Sequence, residues 1–182
     1  MTAIHSSRQH TVNVIVIIFL ILAAALIRAP GLGKWCLAPD EFYFSETVAR
    51  IMEEGIPRLK GGDYYTRGSG LTYLTAFSAS NFKDWEFAVR LPALISGVLT
   101  VPMFYLLCRI FLPAIPALSC SLIILLSSWH IEFSRFARFY MPFQFIFLAF
   151  VYSFFSGYFL NKKAHLKAAW VLAGISPFFY EA

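Results

Sequence analysis

Long unbroken apolar runs dominate the pattern of hydrophobic and polar positions, with little strand-like alternation. A helix needs about 17–25 such residues to cross roughly 30 Å of hydrocarbon. The first run covers residues 12–28, entered from a polar start (His5, Ser6, Ser7, Arg8, Gln9, His10) and closed by Arg28. The second covers 92–112, with Pro92 at its first turn and Pro102 as a kink. The third, 117–133, is entered through Pro113 and Pro116, the fourth is 141–160, and the fifth runs from 168 to 182. The first run reads as a signal anchor rather than a cleaved signal, because it is long and Ala29-Pro30-Gly31 is a poor cleavage site. The pattern predicts an all-α integral membrane protein, a multi-span bundle of about five transmembrane helices.

The segment 29–90 is the one sizeable part outside these runs. Within it Phe44, Val48, Ile51 and Met52 recur at helical spacing, with Glu46 and Arg50 paired at i, i+4. Gly55 and Pro57 end that helix. A second helix is expected from Asp84 as N-cap through Trp85 and Phe87 towards Arg90. Both read as amphipathic helices lying along a membrane surface. Glycines at 61, 62, 68 and 70 mark a loop between them that holds Tyr64, Tyr65, Thr66 and Arg67.

Charge sets an orientation. Arg8, Arg109, Lys162, Lys163 and Lys167 all fall on one side of the spans, which the positive-inside rule makes cytoplasmic. Segments 29–90 and 130–140 then face outward, and the latter holds Arg135 and Arg138 against the rule. Composition agrees with the membrane reading: 59% of the 182 residues are hydrophobic, 14% are charged, and mean hydropathy is +0.66. A soluble domain carries about 25% charged residues. Disorder, a disulfide scaffold and a nucleic-acid module are excluded on the same grounds. No ionisable residue lies in the middle of a run, which argues against a pump or coupled transporter. Cys108 and Cys120 sit in apolar runs, and with Cys36 they form no framework.

Candidate chemistry lies in the outward segments. Asp40 and Glu41 stand just past the first run. They suit a general base and its partner, or a metal, and equally suit a helix start with Asp40 as N-cap and Glu41 in the first turn. Arg135 and Arg138, one helical turn apart in Ser134-Arg135-Phe136-Ala137-Arg138-Phe139-Tyr140, match phosphate oxygens. Pinned to a membrane surface, they point to a lipid phosphate, with interfacial anchoring by snorkelling arginines as the other reading. Arg67 lies just before a glycine that would let a phosphate approach the backbone, or is a solvated loop arginine. His130 beside Glu132 is a metal pair, a proton relay or a structural histidine. No motif for a nucleotide site is present.

Taken in order, Leu37-Ala38-Pro39-Asp40-Glu41, Gly55-Ile56-Pro57, Tyr65-Thr66-Arg67-Gly68, Ala88-Val89-Arg90-Leu91-Pro92 and the segment 133–140 resemble the N-terminal part of a GT-C glycosyltransferase. The likeness is to the protein O-mannosyltransferase and lipid A aminoarabinose transferase branch. It implies transfer of a sugar from a polyprenyl-phosphate-linked donor to a glycan, lipid or protein acceptor, outside a bacterial plasma membrane. It gives Asp40 the role of base with Glu41 beside it, and gives Arg67, Arg135 and Arg138 contact with the carrier phosphate. Thr66 and Tyr140 stand where some branches have acidic residues, so a divalent metal is left open as cofactor. Family members are several times longer, so the chain reads as a truncated product or fragment. Two other readings compete: a non-catalytic membrane protein that binds polyprenyl phosphate or serves as an assembly subunit, and, behind it, a five-span transporter.

Overall fold

The computed structural model describes residues 2–180, with side-chain surroundings from Thr11 onward. Arg8 and residues 181–182 of the expected fifth run lie outside those described side chains. Among the described residues the protein is all-helical: α1 (Thr2–Arg28), α2 (Pro39–Glu54), α3 (Ser69–Asn81), α4 (Trp85–Phe111), α5 (Ala114–Leu126), α6 (Ser128–Phe133), α7 (Tyr140–Phe159) and α8 (Lys163–Ile175), closed by a 3-10 turn at Ser176–Phe179. Among the described residues three helices are long and apolar enough to cross a membrane: Thr11–Arg28 of α1, α4 and α7.

The remaining expected runs differ in instructive ways. The run 117–133 is divided. α5 has 13 residues, about 20 Å, and ends at Leu126. The Ser127 hydroxyl then accepts from the backbone N–H of His130 and starts α6. The break is held from outside, since Arg28 at the end of α1 donates to the carbonyls of Ile124 and Leu125 (3.3 and 3.2 Å). Leu125 O is a last-turn group of the kind a helix end leaves without an intrahelical donor, and Ile124 O also accepts from Ser127 N. Arg28 is wholly buried there, not a snorkelling end charge. The fifth run begins earlier than expected, at Lys163, and turns into 3-10 at Ser176, where Pro177 cannot continue the ladder.

α4 replaces two expected elements. Asp84 Oδ1 does cap it, accepting from Phe87 N (2.9 Å), but the helix runs straight on through Arg90 into the span. Pro92 is therefore interior rather than at a first turn. A proline there leaves the carbonyl four residues back without its donor. That carbonyl belongs to Ala88, and the hydroxyl of Ser78 in α3 donates to it at 2.8 Å. α4 is the centre of the bundle, packing against α1, α3, α5, α6 and α7. Its antiparallel pairing with α1 is marked by Tyr105 donating to Asn13 Oδ1 (2.9 Å).

α2 matches its predicted apolar face, with Phe44, Val48 and Ile51 buried and Gly55 ending it in the left-handed region (φ 76°). Met52 is exposed. Arg50 pairs with Glu53 and Glu54 rather than Glu46, whose carboxylate accepts from Lys60 N. α3 is a helix that the sequence reading leaves as unassigned chain.

Candidate functional site

The start of α2 sets the site. Ala38 is the N-cap and Pro39 takes the first helical position, where a missing N–H costs nothing. Asp40 is therefore inside the first turn and not at the N-cap, where the helix-start alternative put it. Glu41 reaches back, and its Oε2 accepts from Ala38 N at 2.9 Å. The Asp40 side chain is left at the surface.

Glu41 goes inward instead and is 1% exposed. Its carboxylate takes a two-pronged grip from Arg90, Nε to Oε1 at 2.9 Å and Nη2 to Oε2 at 2.7 Å. Ala137 N donates to Oε1 at 2.7 Å. Arg90 spends its other N–H groups on the carbonyls of Leu32, Trp35 and Cys36 (3.0, 2.8 and 3.1 Å). All five guanidinium donors thus have acceptors. Burial pushes the Glu41 carboxyl pKa upward, but the bonds from Arg90, Ala137 and Ala38 and the charge of Arg90 outweigh it and hold it below the usual carboxylate range. Glu41 is ionised, paired and enclosed. That arrangement suits a positioning residue, not the catalytic partner expected from its place beside Asp40.

The same pair brings the second outward segment alongside the first. Arg138 Nη1 donates to the backbone carbonyl of Asp40 at 3.0 Å, and its guanidinium lies 5.5 Å from the Phe139 ring centre. Arg135 lines a cleft of about 420 Å³ together with Glu132 and Phe136 from its own segment. The opposite wall is Leu32, Trp35, Cys36 and Ala38, and Glu41 and Arg90 form part of the lining. The half-buried Arg135 makes no side-chain hydrogen bond or ion pair with a described residue. Arg67 is exposed. It precedes Gly68, which starts α3 in the left-handed region (φ 57°), and a β-carbon there would stand 3.5 Å from that of Phe139. The segments 38–41, 67–68 and 135–139, far apart in sequence, therefore meet.

His130 is buried, and its Nδ1 accepts from Arg28 Nη2 at 3.0 Å. Glu132 is exposed at the cleft. Among the described residues no group of three or more His, Cys, Asp or Glu side chains is arranged to hold a metal ion. Arg90 is the residue that the sequence did not single out for a role. Its signal was present, since an arginine near the start of an apolar helix needs a counter-charge, but nothing local names Glu41 as that partner. Neither protein-family models, nor curated proteins, nor solved structures match the chain.

Proposed function

We propose that this chain belongs to a membrane glycosyltransferase that moves a sugar from a polyprenyl-phosphate-linked donor to an acceptor on the extracytoplasmic side of a bacterial plasma membrane. The observation that carries it is that Arg138 reaches the backbone carbonyl of Asp40, whose own carboxylate is exposed, while Arg135 lines a cleft shared with the neighbouring Ala38 and Glu41, beside apolar helix ends. In this reading α5 and α8 cross as short segments beside the three long helices, and the N-terminus is cytoplasmic.

The chemistry follows from charge placement. The bond between the sugar's anomeric carbon and the carrier phosphate oxygen breaks, and its electron pair stays on the phosphate. The acceptor oxygen forms the new bond to that carbon, and its proton passes to Asp40. Arg135 and Arg138 meet the charge that grows on the leaving phosphate, where preorganised cations stabilise a transition state most. Glu41 and Arg90 hold the two segments in register. No step needs a metal.

The test separates binding from transfer. A polyprenyl phosphate in micelles binds the purified chain, and Arg135→Ala and Arg138→Ala each weaken binding about tenfold. In native membranes, Asp40→Asn lowers transfer of lipid-linked sugar by about 100- to 10,000-fold, the range for a lost general base. It leaves phosphate binding unchanged. Full transfer by Asp40→Asn removes the base assignment and leaves a lipid-phosphate binder. Unchanged binding by both arginine variants overturns the whole reading.

A further inference from the structure

α3 is built inside out. Its buried face carries small and hydroxyl side chains, Thr72, Thr75, Ala76, Ser78 and Ala79, with Leu71 the one large apolar residue among them. Its outer face carries Tyr73, Leu74 and Phe77, with Phe82 just past its end, and Phe77 is 70% exposed. In water this polarity is unfavourable, since each large apolar side chain left exposed forgoes the gain of burial. In lipid it is the usual arrangement: small residues let helices approach, and large apolar ones face hydrocarbon.

Between α3 and α4 lies a groove of about 500 Å³. Its walls are Leu74, Phe77 and Phe82 on one side and Leu91, Pro92 and Ile95 on the other. The second wall belongs to a helix long and apolar enough to span, and Ile95 on it is half exposed, so the groove is continuous with the surface that α4 offers to a bilayer. Three polar residues also line it, and the donors of each are already engaged. Ser78 donates to Ala88 O, Ser96 to Pro92 O, and Asn81 to Phe77 O and Ser80 Oγ. A phosphate headgroup, which needs donors, would find none free, and the rest of the lining is apolar.

We infer that α3 is immersed in the membrane leaflet at the N-terminal end of α4, and that the α3–α4 groove seats an acyl chain of a bilayer phospholipid. The segment 29–90 is then in part a membrane element. This goes beyond the transferase proposal and does not depend on it.

The full chain is reconstituted in vesicles of palmitoyl-oleoyl phosphatidylcholine doped with a phosphatidylcholine carrying a diazirine in its acyl chain. After illumination, adducts are mapped by peptide mass spectrometry. Adducts are expected on residues 74–82 and 91–96, and on the exposed Phe147 and Phe154 of α7, which serve as the internal reference. Ile95→Trp fills the groove with an apolar side chain and is expected to cut the groove adducts about tenfold while sparing those on α7. Adducts on α7 with none on 74–82 would place α3 in water and overturn the inference. So would groove adducts that survive Ile95→Trp unchanged, since lipid would then brush the face without seating. Loss of the groove adducts on adding unlabelled polyprenyl phosphate below the phosphatidylcholine concentration would assign the groove to a prenyl chain, which also overturns it.

Discussion

A carboxylate out of water is stable only if its oxygens are taken, and Glu41 shows how much one side chain can organise. Its two oxygens join the start of α2, the first turns of α4 and the segment after α6. Removing one member of such a buried pair costs about 3–5 kcal/mol, because the other charge stays behind. Glu41→Gln is therefore expected to destabilise the fold by about that much in a detergent-unfolding titration followed by circular dichroism. Replacing Glu41 and Arg90 together with Leu and Met removes the stranded charge but orphans the N–H groups of Ala38 and Ala137 and three carbonyls, so it recovers only part of the loss. The pH dependence has a definite sign. The folded carboxyl titrates below its ordinary value near 4.3, so the pair's contribution is complete above that value and is lost as pH falls through the lowered one. Burial and the charge of Arg28 lower the pKa of His130 to about 4, so unfolding midpoints should already decline below about pH 6.5 in both proteins, and only the further fall at acid pH that belongs to the carboxyl should be missing in Glu41→Gln.

At the scale of elements, close approach decides the arrangement. A β-carbon on Gly97 would collide with the Ser134 side chain and lie 3.2 Å from its Cα. Gly97→Ala is expected to cost about 1–3 kcal/mol and to displace the segment carrying Arg135 and Arg138, so weakening polyprenyl phosphate binding as well. Gly174, which has nothing within 4 Å of such a carbon, is the control, and Gly174→Ala should leave both readouts unchanged. The sequence showed elements where local chemistry is sufficient. The apolar face of α2, its Gly55 stop and the long runs of α1 and α7 were all legible. It hid those whose cause is remote. Pro92 looks like a helix start until Ser78 is known to satisfy Ala88, and the run 117–133 looks continuous until Arg28 is known to take its carbonyls. α3 was missed because its large apolar residues face outward, against the pattern that marks a helix in a water-soluble core. Of the site, Asp40, Arg67, Arg135 and Arg138 could be nominated by residue type. That the segments carrying Asp40 and Arg138 pack together could not, since that contact is made by Glu41 and Arg90 across distant parts of the chain.

For the whole molecule, the orientation assigned by Lys and Arg can be read with the chain's own cysteines. Cys36 is exposed beside the cleft, while Cys108 and Cys120 are partly covered in α4 and α5. A membrane-impermeant maleimide should label Cys36 in intact cells and reach the other two only after detergent is added. Labelling of Cys36 only from the cytoplasmic side would reverse the topology. The grip on Glu41 also carries a timetable. Arg90 follows it by 49 residues and Ala137 by 96. At about 5–20 residues per second of synthesis, the carboxylate waits roughly 2–10 s for its first partner and about twice that for the second. The cleft is thus finished late in the birth of this stretch of chain. A ribosome that stalls between residues 90 and 137 leaves Glu41 held by Arg90 alone, without the bond from Ala137 N.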